Sequence, residues 1–459
     1  MMRTNLASEL LGALRSSAPT SGQAGGNIAE LAAPTPRNEQ SADPSAIAWL
    51  IAVVAVVIQE QGAFVSIPEI MRGDEMRGVV NPYNTAAVLA SLVLISAVAL
   101  RHGGRILALA RRNILSVLFI VLVLSSASWS LHPDLTIRRG IGYLLTVFIA
   151  IYLTVGFRRD DRFRVMSYSF AVAAVGSFLF VVVAPQFGIM AGPLAGAWRG
   201  VFPHKNVLGP VMAIAVFTEL YLLCGTTGSS RWRWILLALY LLLVFLSRST
   251  TARILSGFYL GMAGLYLLWR KRRAAAALAW STLAICFVGA VLLSWNNPGG
   301  ALSALGKDQT ISGRSVLWRV VIERIGERPA LGWGYRASWE PEDPVTVLAD
   351  KLTGNYGVVN SENAFLEITV QLGVVGLLLL SLICGEASWR AIRCCQLGLS
   401  SLGWFALSFL IGSIAAAQTT INLAQNQGID WVMFCVLSFS CGSETRALAD
   451  YYVAATLYE

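Results

Sequence analysis

Long runs of apolar residues recur along the chain and constrain its fold more than any other feature. Twelve such segments follow residue 45, and each approaches the roughly 20 residues that a helix needs to cross a bilayer. Only 13% of the 459 residues are charged, against about 25% in a typical soluble domain. The sequence therefore predicts an all-α, polytopic membrane helix bundle of about 12 transmembrane helices, because helices satisfy their own backbone groups in lipid. It excludes a soluble multidomain enzyme.

The predicted spans are joined by short loops, except at one place. The spans lie at 46–67, 83–100, 114–130, 140–157, 165–187, 206–225, 233–248, 252–269, 274–295, 364–386, 399–419 and 427–442. They divide the chain into a tail (1–44), transmembrane helices 1–9 (45–296), a large polar loop (297–363), transmembrane helices 10–12 (364–442) and a second tail (443–459). Residues 1–44 are rich in Ser, Ala, Pro and Gly, which predicts a disordered tail rather than a signal peptide.

Basic residues in the loops predict the orientation. Loops on the side of the N-terminus carry 16 Lys and Arg, whereas the short loops on the other side carry 8. By the positive-inside rule both termini are expected in the cytoplasm, and the loop 297–363 is expected in the periplasm. All seven cysteines fall in predicted spans or on the cytoplasmic side, which agrees with this orientation.

The large loop contains one stretch with helical periodicity, residues 313–328, which Pro329 ends. Its apolar residues recur at helical spacing and its charged residues mostly lie opposite. The apolar positions are Val316, Leu317, Val320, Val321 and Ile325. Two interpretations remain open: an amphipathic helix lying on the outer membrane surface, or a helix packed on a small core of the loop itself.

Positive charge on the predicted outer side needs a reason, because the topology rule disfavours it there. Guanidinium groups match phosphate oxygens in shape and charge, so a phosphate-bearing ligand is one explanation. The alternative is that these side chains extend to lipid head groups. The outer basic residues and their polar neighbours are Arg138, Arg139, Arg199, His204, Lys205, Asn206, Arg248, Arg253 and Arg314.

The run 196–209, GAWRGVFPHKNVLG, resembles the central motif of the O-antigen ligase/polymerase superfamily, and is most similar to the motif of its bacterial exopolysaccharide polymerases. Three further segments match the family pattern in the same order. They are Trp129-Ser130 with Arg138-Arg139, then 313–318 running on to 329–335, and 360–367 with Gly373 and Gly376. The resemblance therefore extends from about residue 129 to residue 376.

The resemblance implies a metal-independent glycosyltransferase of the bacterial inner membrane with a periplasmic active site and no cofactor. Family members take a sugar chain from undecaprenyl diphosphate. Polymerases transfer it to the next repeat unit, and ligases transfer it to lipid A–core. The implied partners are the lipid-linked oligosaccharide and the bilayer. A chain-length regulator and export machinery are further partners that the resemblance allows but that no residue of this sequence indicates. The absence of nucleotide-binding and zinc-binding sequence motifs agrees with this, and no nucleic-acid partner is expected.

The expected site combines cations for the diphosphate with a base for the acceptor hydroxyl. Arg199 takes the place of the family's motif arginine. Glu362 is the first candidate for the base, since it stands where the family usually has His, and His204 is the second. Glu362 could instead be a carboxylate favoured by the dipole of the following helix, and His204 a residue at head-group level. The expected substrate contacts are Arg199, Lys205, Asn206, Arg248, Arg253, Arg314 and Asn363.

Two other functions fit parts of the sequence. An O-antigen ligase would use similar chemistry and differ in its acceptor. A lipid-linked oligosaccharide flippase or transporter would suit twelve spans, but it predicts internal repeats and substrate groups near the membrane midplane. No convincing internal repeat is present, and the basic motifs concentrate on one predicted face, which favours a transferase.

Overall fold

The computed structural model describes residues 44–60, 62–72, 102–225, 231–275, 314–340, 342–353 and 360–457, together with 89–91, 93 and 96. Within these residues the regular structure is helical, and extended pairing is limited to two isolated bridges, Glu60–Gly428 and Ile189–Trp198. The predicted tail up to residue 43, most of the predicted spans 83–100 and 274–295, and the first part of the large loop lie outside the described residues.

The described helices follow the predicted order of apolar segments. They are α1 (Ala46–Ile58), α2 (Ile67–Arg72), α3 (Gly103–Arg112), α4 (Ile114–Ser125), α5 (Pro133–Gly156), α6 (Arg159–Val183), α7 (Pro185–Gly188), α8 (Lys205–Gly225), α9 (Arg231–Leu246), α10 (Thr250–Lys271), α11 (Arg314–Glu327), α12 (Pro344–Thr353), α13 (Ala364–Gln396), α14 (Ser400–Ala416) and α15 (Ile429–Leu457). Each of the ten predicted spans outside 83–100 and 274–295 overlaps one of these helices.

Five of the described helices, α5, α6, α8, α10 and α13, are long and apolar enough to cross a membrane. Helix α3 meets the segment from α4 to Trp129 at an angle of 92°, and this broken pair would make a sixth span. Helices α1 and α14 are apolar but shorter. The helical, multi-pass character of the chain is thus confirmed, whereas the number twelve and the side on which each loop lies stay predictions.

Helix α8 lies at the centre of the bundle and packs against α6, α9 and α10. Nearly all of its side chains from Leu208 to Cys224 are buried. One of them is the carboxylate of Glu219, which pairs with Arg233 of α9 at 3.2 Å and accepts a hydrogen bond from the hydroxyl of Ser167. A buried carboxylate with these partners is a satisfied contact between helices.

Two buried arginines connect loops at one end of the bundle. Arg162 donates to the carbonyl oxygens of Thr154 and Phe157 and to the hydroxyl of Ser440, while Arg390 donates to the carbonyl oxygen of Arg112. These bonds tie the start of α6 to the end of α5 and to α15, and they tie α13 to the end of α3.

The polar segment before α13 has its own small core. Leu317 and Val321 of α11 pack with Trp333, with Ala349 of α12 and with Val370 of α13. Helix α11 agrees with the predicted helix 313–328 to within a residue at each end. Its apolar side chains pack on a small core, as the second interpretation of the sequence proposed, and do not form a separate surface helix. Helix α12 was not predicted.

Helix α13 is interrupted at Gly373, whose φ of +65° lies in the left-handed region. A Cβ atom there would overlap the carbonyl group of Ala330, so only glycine fits. The segment 329–334 inserts at the break and takes over the hydrogen bonds that the helix has lost, which satisfies the backbone inside an apolar bundle. These bonds run from Val374 N to Pro329 O, from Val375 N to Ala330 O, from Trp333 N to Val370 O and from Gly334 N to Gln371 O.

Candidate functional site

The first part of the motif that resembles the family's central motif, residues 196–204, lies in a tight loop, residues 188–204, which we call the motif loop. The carbonyl oxygen of Gly188 accepts hydrogen bonds from the N–H groups of Arg199 and Gly200 at 3.0 and 3.1 Å. Gly200 has a φ of +57°, and a Cβ atom there would overlap the side chain of Ser177. The glycine at this point of the motif is therefore required by close packing against α6.

Arg199 is only 4% exposed. Its Nε donates to the carbonyl oxygen of Phe187 at 2.7 Å. The guanidinium therefore ties the motif loop to α7, and its charge is held in a fixed, buried position.

His204 caps the N-terminus of α8. Its Nδ1 accepts a hydrogen bond from the N–H of Asn206 at 3.1 Å, and its carbonyl oxygen accepts from the N–H groups of Val207 and Leu208. A neutral imidazole whose Nδ1 accepts carries its proton on Nε2. In this geometry His204 is suited to donate a hydrogen bond rather than to take a proton. Asn206 lies exposed in the first turn of α8.

Three cations lie together where α8 begins and where α9 turns into α10. Lys205 donates to the carbonyl oxygen of Arg248 at 3.5 Å, and the charges of Arg248 and Arg253 are within electrostatic reach of its ammonium. Arg248 donates to the carbonyl oxygen of Ala195 at 3.1 Å, and Arg253 donates to that of Phe245 at 2.7 Å. We call these three residues the basic corner.

The basic corner has no acidic counterpart. Within the described residues, each of its three side chains donates a hydrogen bond to a carbonyl oxygen, and none contacts a carboxylate. The charges of Arg248 and Arg253 also act on the ammonium of Lys205. Arg248 also holds a φ of +52°, a strained backbone conformation of the kind found at functional sites. Positive charges that lie together repel one another, and the N-terminus of a helix adds to the positive potential. An anion bound there would therefore be stabilised.

Glu362 and Asn363 lie directly before α13. The side-chain oxygen of Asn363 accepts from the N–H groups of Phe365 and Leu366 at 3.0 and 3.1 Å, so Asn363 is the N-cap of α13. Half-buried Glu362 has a φ of +50°, and its N–H donates to the side chain of Asn360. The helix dipole favours a negative charge on Glu362, as one interpretation of the sequence proposed.

Residues 360–363, which we call the Glu362 turn, are held in place by Glu367, one turn into α13. Its carboxylate is 5% exposed and accepts three hydrogen bonds. The donors are the N–H of Ser361 at 2.8 Å, Nε1 of Trp339 at 2.9 Å and Nε2 of Gln371 at 2.6 Å. Glu367 therefore fixes the backbone just before Glu362 and ties it to the polar segment.

Residues 417–428, which join α14 to α15 and which we call the connector, link the two groups of candidate residues. The hydroxyls of Thr419 and Thr251 lie 3.5 Å apart, next to the basic corner. The carbonyl oxygen of Gln418 accepts from the side-chain amide of Asn363 at 3.5 Å. The basic corner and the Glu362 turn thus lie at the same end of the bundle.

The connector also contacts other parts of this end. The carbonyl oxygen of Ala424 accepts from the hydroxyl of Tyr335 at 2.9 Å, and the N–H of Gln427 donates to Thr146 at 2.9 Å. Ala424 and Gln427 both have positive φ. Sequence reasoning missed the connector because it carries no charge, although its run of Gln, Thr and Asn between two apolar segments was a visible signal.

The remaining outer arginines are placed differently. Arg139 pairs with Glu340 at 2.8 Å and also donates to the carbonyl oxygen of Arg336. Arg138 is exposed on α5. Arg314 begins α11, and its side chain lies outside the described part. Among described side chains, no group of three or more His, Cys, Asp or Glu is arranged to hold a metal ion.

A small pocket, with room for about one water molecule, lies between the segment around Tyr335, the first turns of α13 and the connector. Arg336 at its edge, missed from the sequence, has a φ of +53°. Burial lowers the pKa of this guanidinium, and the nearby Tyr335 hydroxyl and Glu367 carboxylate partly oppose the effect. The lining residues are Tyr335, Arg336, Glu367, Ile368, Gln371, Ile421, Leu423, Ala424 and Gln425.

Comparison with known proteins gives two similarities. The sequence model of the O-Antigen ligase family matches residues 235–381, which include Arg248, Arg253 and the Glu362 turn but not the motif loop. The exopolysaccharide production protein ExoQ of Rhizobium meliloti (strain 1021) is 29% identical over 294 residues, covering 60% of this chain. The chain spans 64% of the length of that relative. The resemblance to the O-antigen ligase/polymerase superfamily is confirmed.

Proposed function

We propose that this protein polymerises undecaprenyl-diphosphate-linked oligosaccharide repeat units into exopolysaccharide at the periplasmic face of the bacterial inner membrane. The observation that carries the proposal is the basic corner, where three cations meet at a helix N-terminus without a carboxylate among the described residues. A sugar–diphosphate bond places growing negative charge on the diphosphate as it breaks. Fixed cations stabilise that charge in the transition state.

Each candidate residue takes a role that its placement supports. Lys205, Arg248 and Arg253 bind the diphosphate, with Asn206 and the Nε2 proton of His204 as further donors. Arg199 holds the motif loop and adds its charge, and Arg314 is the expected second arginine of the family pattern. Asn363 holds the helix start beside Glu362.

The transfer step needs neither a metal ion nor a cofactor in this proposal. The acceptor hydroxyl attacks the anomeric carbon of the donor sugar, and its proton passes to the carboxylate of Glu362. The bond between that carbon and the diphosphate oxygen breaks, and its electron pair leaves with the lipid diphosphate.

The test is chain growth by the purified protein. Incubation with a defined lipid-linked repeat unit should give a ladder of products, each longer by one repeat. Arg199→Ala should abolish the ladder while the protein remains in the membrane, because the motif loop loses a charge that it holds in place. A full-length ladder from Arg199→Ala would remove Arg199 from the mechanism, and no ladder from the wild type would overturn the polymerase proposal.

A second candidate is an O-antigen ligase, which the family match over residues 235–381 favours. Its acceptor would be lipid A–core instead of another repeat unit. Supplying both acceptors in the same reaction separates the two functions, since a ligase would label lipid A–core and a polymerase would lengthen the repeat. A flippase is disfavoured because the candidate residues lie at one end of the bundle, whereas a transporter places its substrate groups near the midplane.

A further inference from the structure

We propose that Trp318 is a positioning residue, which holds the Glu362 carboxylate where it can accept the proton of the acceptor hydroxyl. This inference rests on the proposed function and adds a residue to the same site. Trp318 belongs to the segment 313–318, which matches the family pattern in the sequence. The proposed function gives a role to Arg314 of that segment and none to its tryptophan.

Trp318 contacts the Glu362 turn, whereas its neighbours on α11 pack into the small core of the polar segment. Leu317 and Val321 are members of that core. The indole of Trp318 instead donates a hydrogen bond from Nε1 to the carbonyl oxygen of Ser361 at 3.0 Å. The N–H of a buried indole usually has an acceptor, and here a residue 43 positions further along the chain supplies it. Helix α11 is therefore attached directly to the Glu362 turn.

The hydrogen bond from Trp318 fixes one end of the peptide group that leads into Glu362. The other end is the N–H of Glu362, which donates to Oδ1 of Asn360 at 2.8 Å. Both polar atoms of this peptide group therefore have a partner, so its plane cannot turn without losing a hydrogen bond. Since φ of Glu362 is measured from this plane, the two bonds and that φ together fix the direction in which the side chain leaves the backbone.

Glu362 needs such support because its backbone is strained. Its φ of +50° lies in the left-handed region, which is unfavourable for a residue with a side chain unless surrounding contacts hold it there. Ser361 is fully buried and supplies further contacts. Its N–H donates to Glu367 at 2.8 Å, and its hydroxyl donates to the carbonyl oxygen of Asn363 at 2.8 Å. Hydrogen bonds thus hold both residues that flank Glu362.

Trp318 also fixes the Glu362 turn relative to the second arginine of the family pattern. Arg314 begins α11, about one helical turn before Trp318. A helix is rigid over one turn, so the hydrogen bond from Trp318 sets the backbone of Arg314 against the Glu362 turn. Transfer needs the diphosphate and the proton acceptor at a set separation, and a misplacement of about 1 Å can lower a rate about 10²-fold.

The test variant is Trp318→Phe, which keeps an aromatic ring and removes the N–H. The maximal elongation rate with saturating lipid-linked repeat should fall about tenfold, the size of one lost hydrogen bond. The concentration of repeat that gives half-maximal rate should stay within about twofold, because the binding cations are unchanged. Hydrogen–deuterium exchange of the solubilised full-length protein should become faster at the amides of Ser361 and Glu362, which reports loosening of the turn without any activity.

The matched control is Trp333→Phe. Trp333 packs in the small core, and its Nε1 also donates to a carbonyl oxygen at 3.0 Å, that of Arg324. The control therefore removes the same kind of hydrogen bond from the same core but not from the Glu362 turn. Its elongation rate per folded protein and the exchange in the turn should equal those of the wild type.

A double-mutant cycle separates positioning from a structural role. In the Glu362→Gln background there is no proton acceptor to position, so adding Trp318→Phe should lower the residual rate less than about twofold. A merely structural role would lower the rate about tenfold in both backgrounds. Ser361→Ala removes the hydrogen bond that spans Glu362 and gives the same comparison if Trp318→Phe does not fold.

The outcomes distinguish this inference from the proposed function. If the wild type elongates the repeat and Trp318→Phe leaves either the exchange or the maximal rate unchanged, Trp318 is not a positioning residue and the polymerase proposal stands. An equal loss of rate in Trp333→Phe, or a loss that persists in the Glu362→Gln background, would also overturn the inference. If exchange becomes faster in Trp318→Phe but the wild type never elongates the repeat, the polymerase proposal fails, and the rate comparison is repeated with lipid A–core as the acceptor.

Discussion

The basic corner and the region around Arg139 and Arg336 lie at the same end of the bundle, yet they use arginine in opposite ways. Arg139 faces Glu340 at 2.8 Å, and Arg336 lies within reach of Glu367. In the basic corner, no carboxylate contacts the three cations within the described residues. An arginine paired with a carboxylate stabilises the fold, whereas an arginine without one can bind an anionic ligand. We therefore expect charge balance to separate substrate-binding arginines from structural ones better than their position in a motif does.

Glu362 should give the largest effect on catalysis. Replacing it by Gln keeps the size of the side chain and removes the group that accepts the proton, so the maximal elongation rate should fall about 10²- to 10⁴-fold. The rate is measured with saturating lipid-linked repeat. The control is Glu342→Gln, an exposed carboxylate of the polar segment, which should elongate normally. A normal rate for Glu362→Gln would assign the base role to another group.

The basic corner should give the next effect. Arg248→Ala or Arg253→Ala removes a cation that stabilises the leaving diphosphate, and elongation should fall about 10²-fold or more. Arg319→Ala removes one positive charge from an exposed position on α11 and serves as the control. Equal losses in all three variants would show that general surface charge matters and would remove the special role of the basic corner.

The Arg139–Glu340 pair should affect stability more than catalysis. Arg139→Met leaves the mostly buried Glu340 carboxylate without its partner and should destabilise the fold by about 1–2 kcal/mol. The double variant Arg139→Met/Glu340→Met should recover part of that loss, because no unpaired charge remains. Thermal unfolding of the solubilised protein measures the cycle. A severe loss of specific activity in correctly folded Arg139→Met would instead place Arg139 with the binding cations.

The sequence predicted most of the helices in the described residues, since an apolar segment of sufficient length has few alternatives in a membrane. It also identified Gly373 and the segment 329–335 as related motif elements. It could not predict that this segment inserts into the break in α13, because the contact joins residues about 40 positions apart in a way no periodicity encodes. The pairing of Arg139 with Glu340 was hidden for the same reason.

The candidate site was predicted in part. The charged residues of the basic corner were identified because outer cations oppose the topology rule. The connector, Gln371 and Gln425 were missed, because an uncharged amide does not conflict with the positive-inside rule on either side of the membrane. Asn363 was interpreted as a substrate contact, although an Asn directly before an apolar helical run also signals an N-cap, and the structure shows that cap.

Asn363 should accordingly give the smallest effect of this series, and an effect on stability. Asn363→Ala removes two hydrogen bonds to the first turn of α13 and should cost about 1 kcal/mol in unfolding free energy. Asn363→Asp retains an oxygen that can cap the helix but loses the weak hydrogen bond to Gln418, so it should recover most of the lost stability and elongate at a similar rate. If Asn363→Asp folds normally but elongates as poorly as a basic-corner variant, the amide nitrogen contacts substrate, and the division between binding and structural residues would have to include this position.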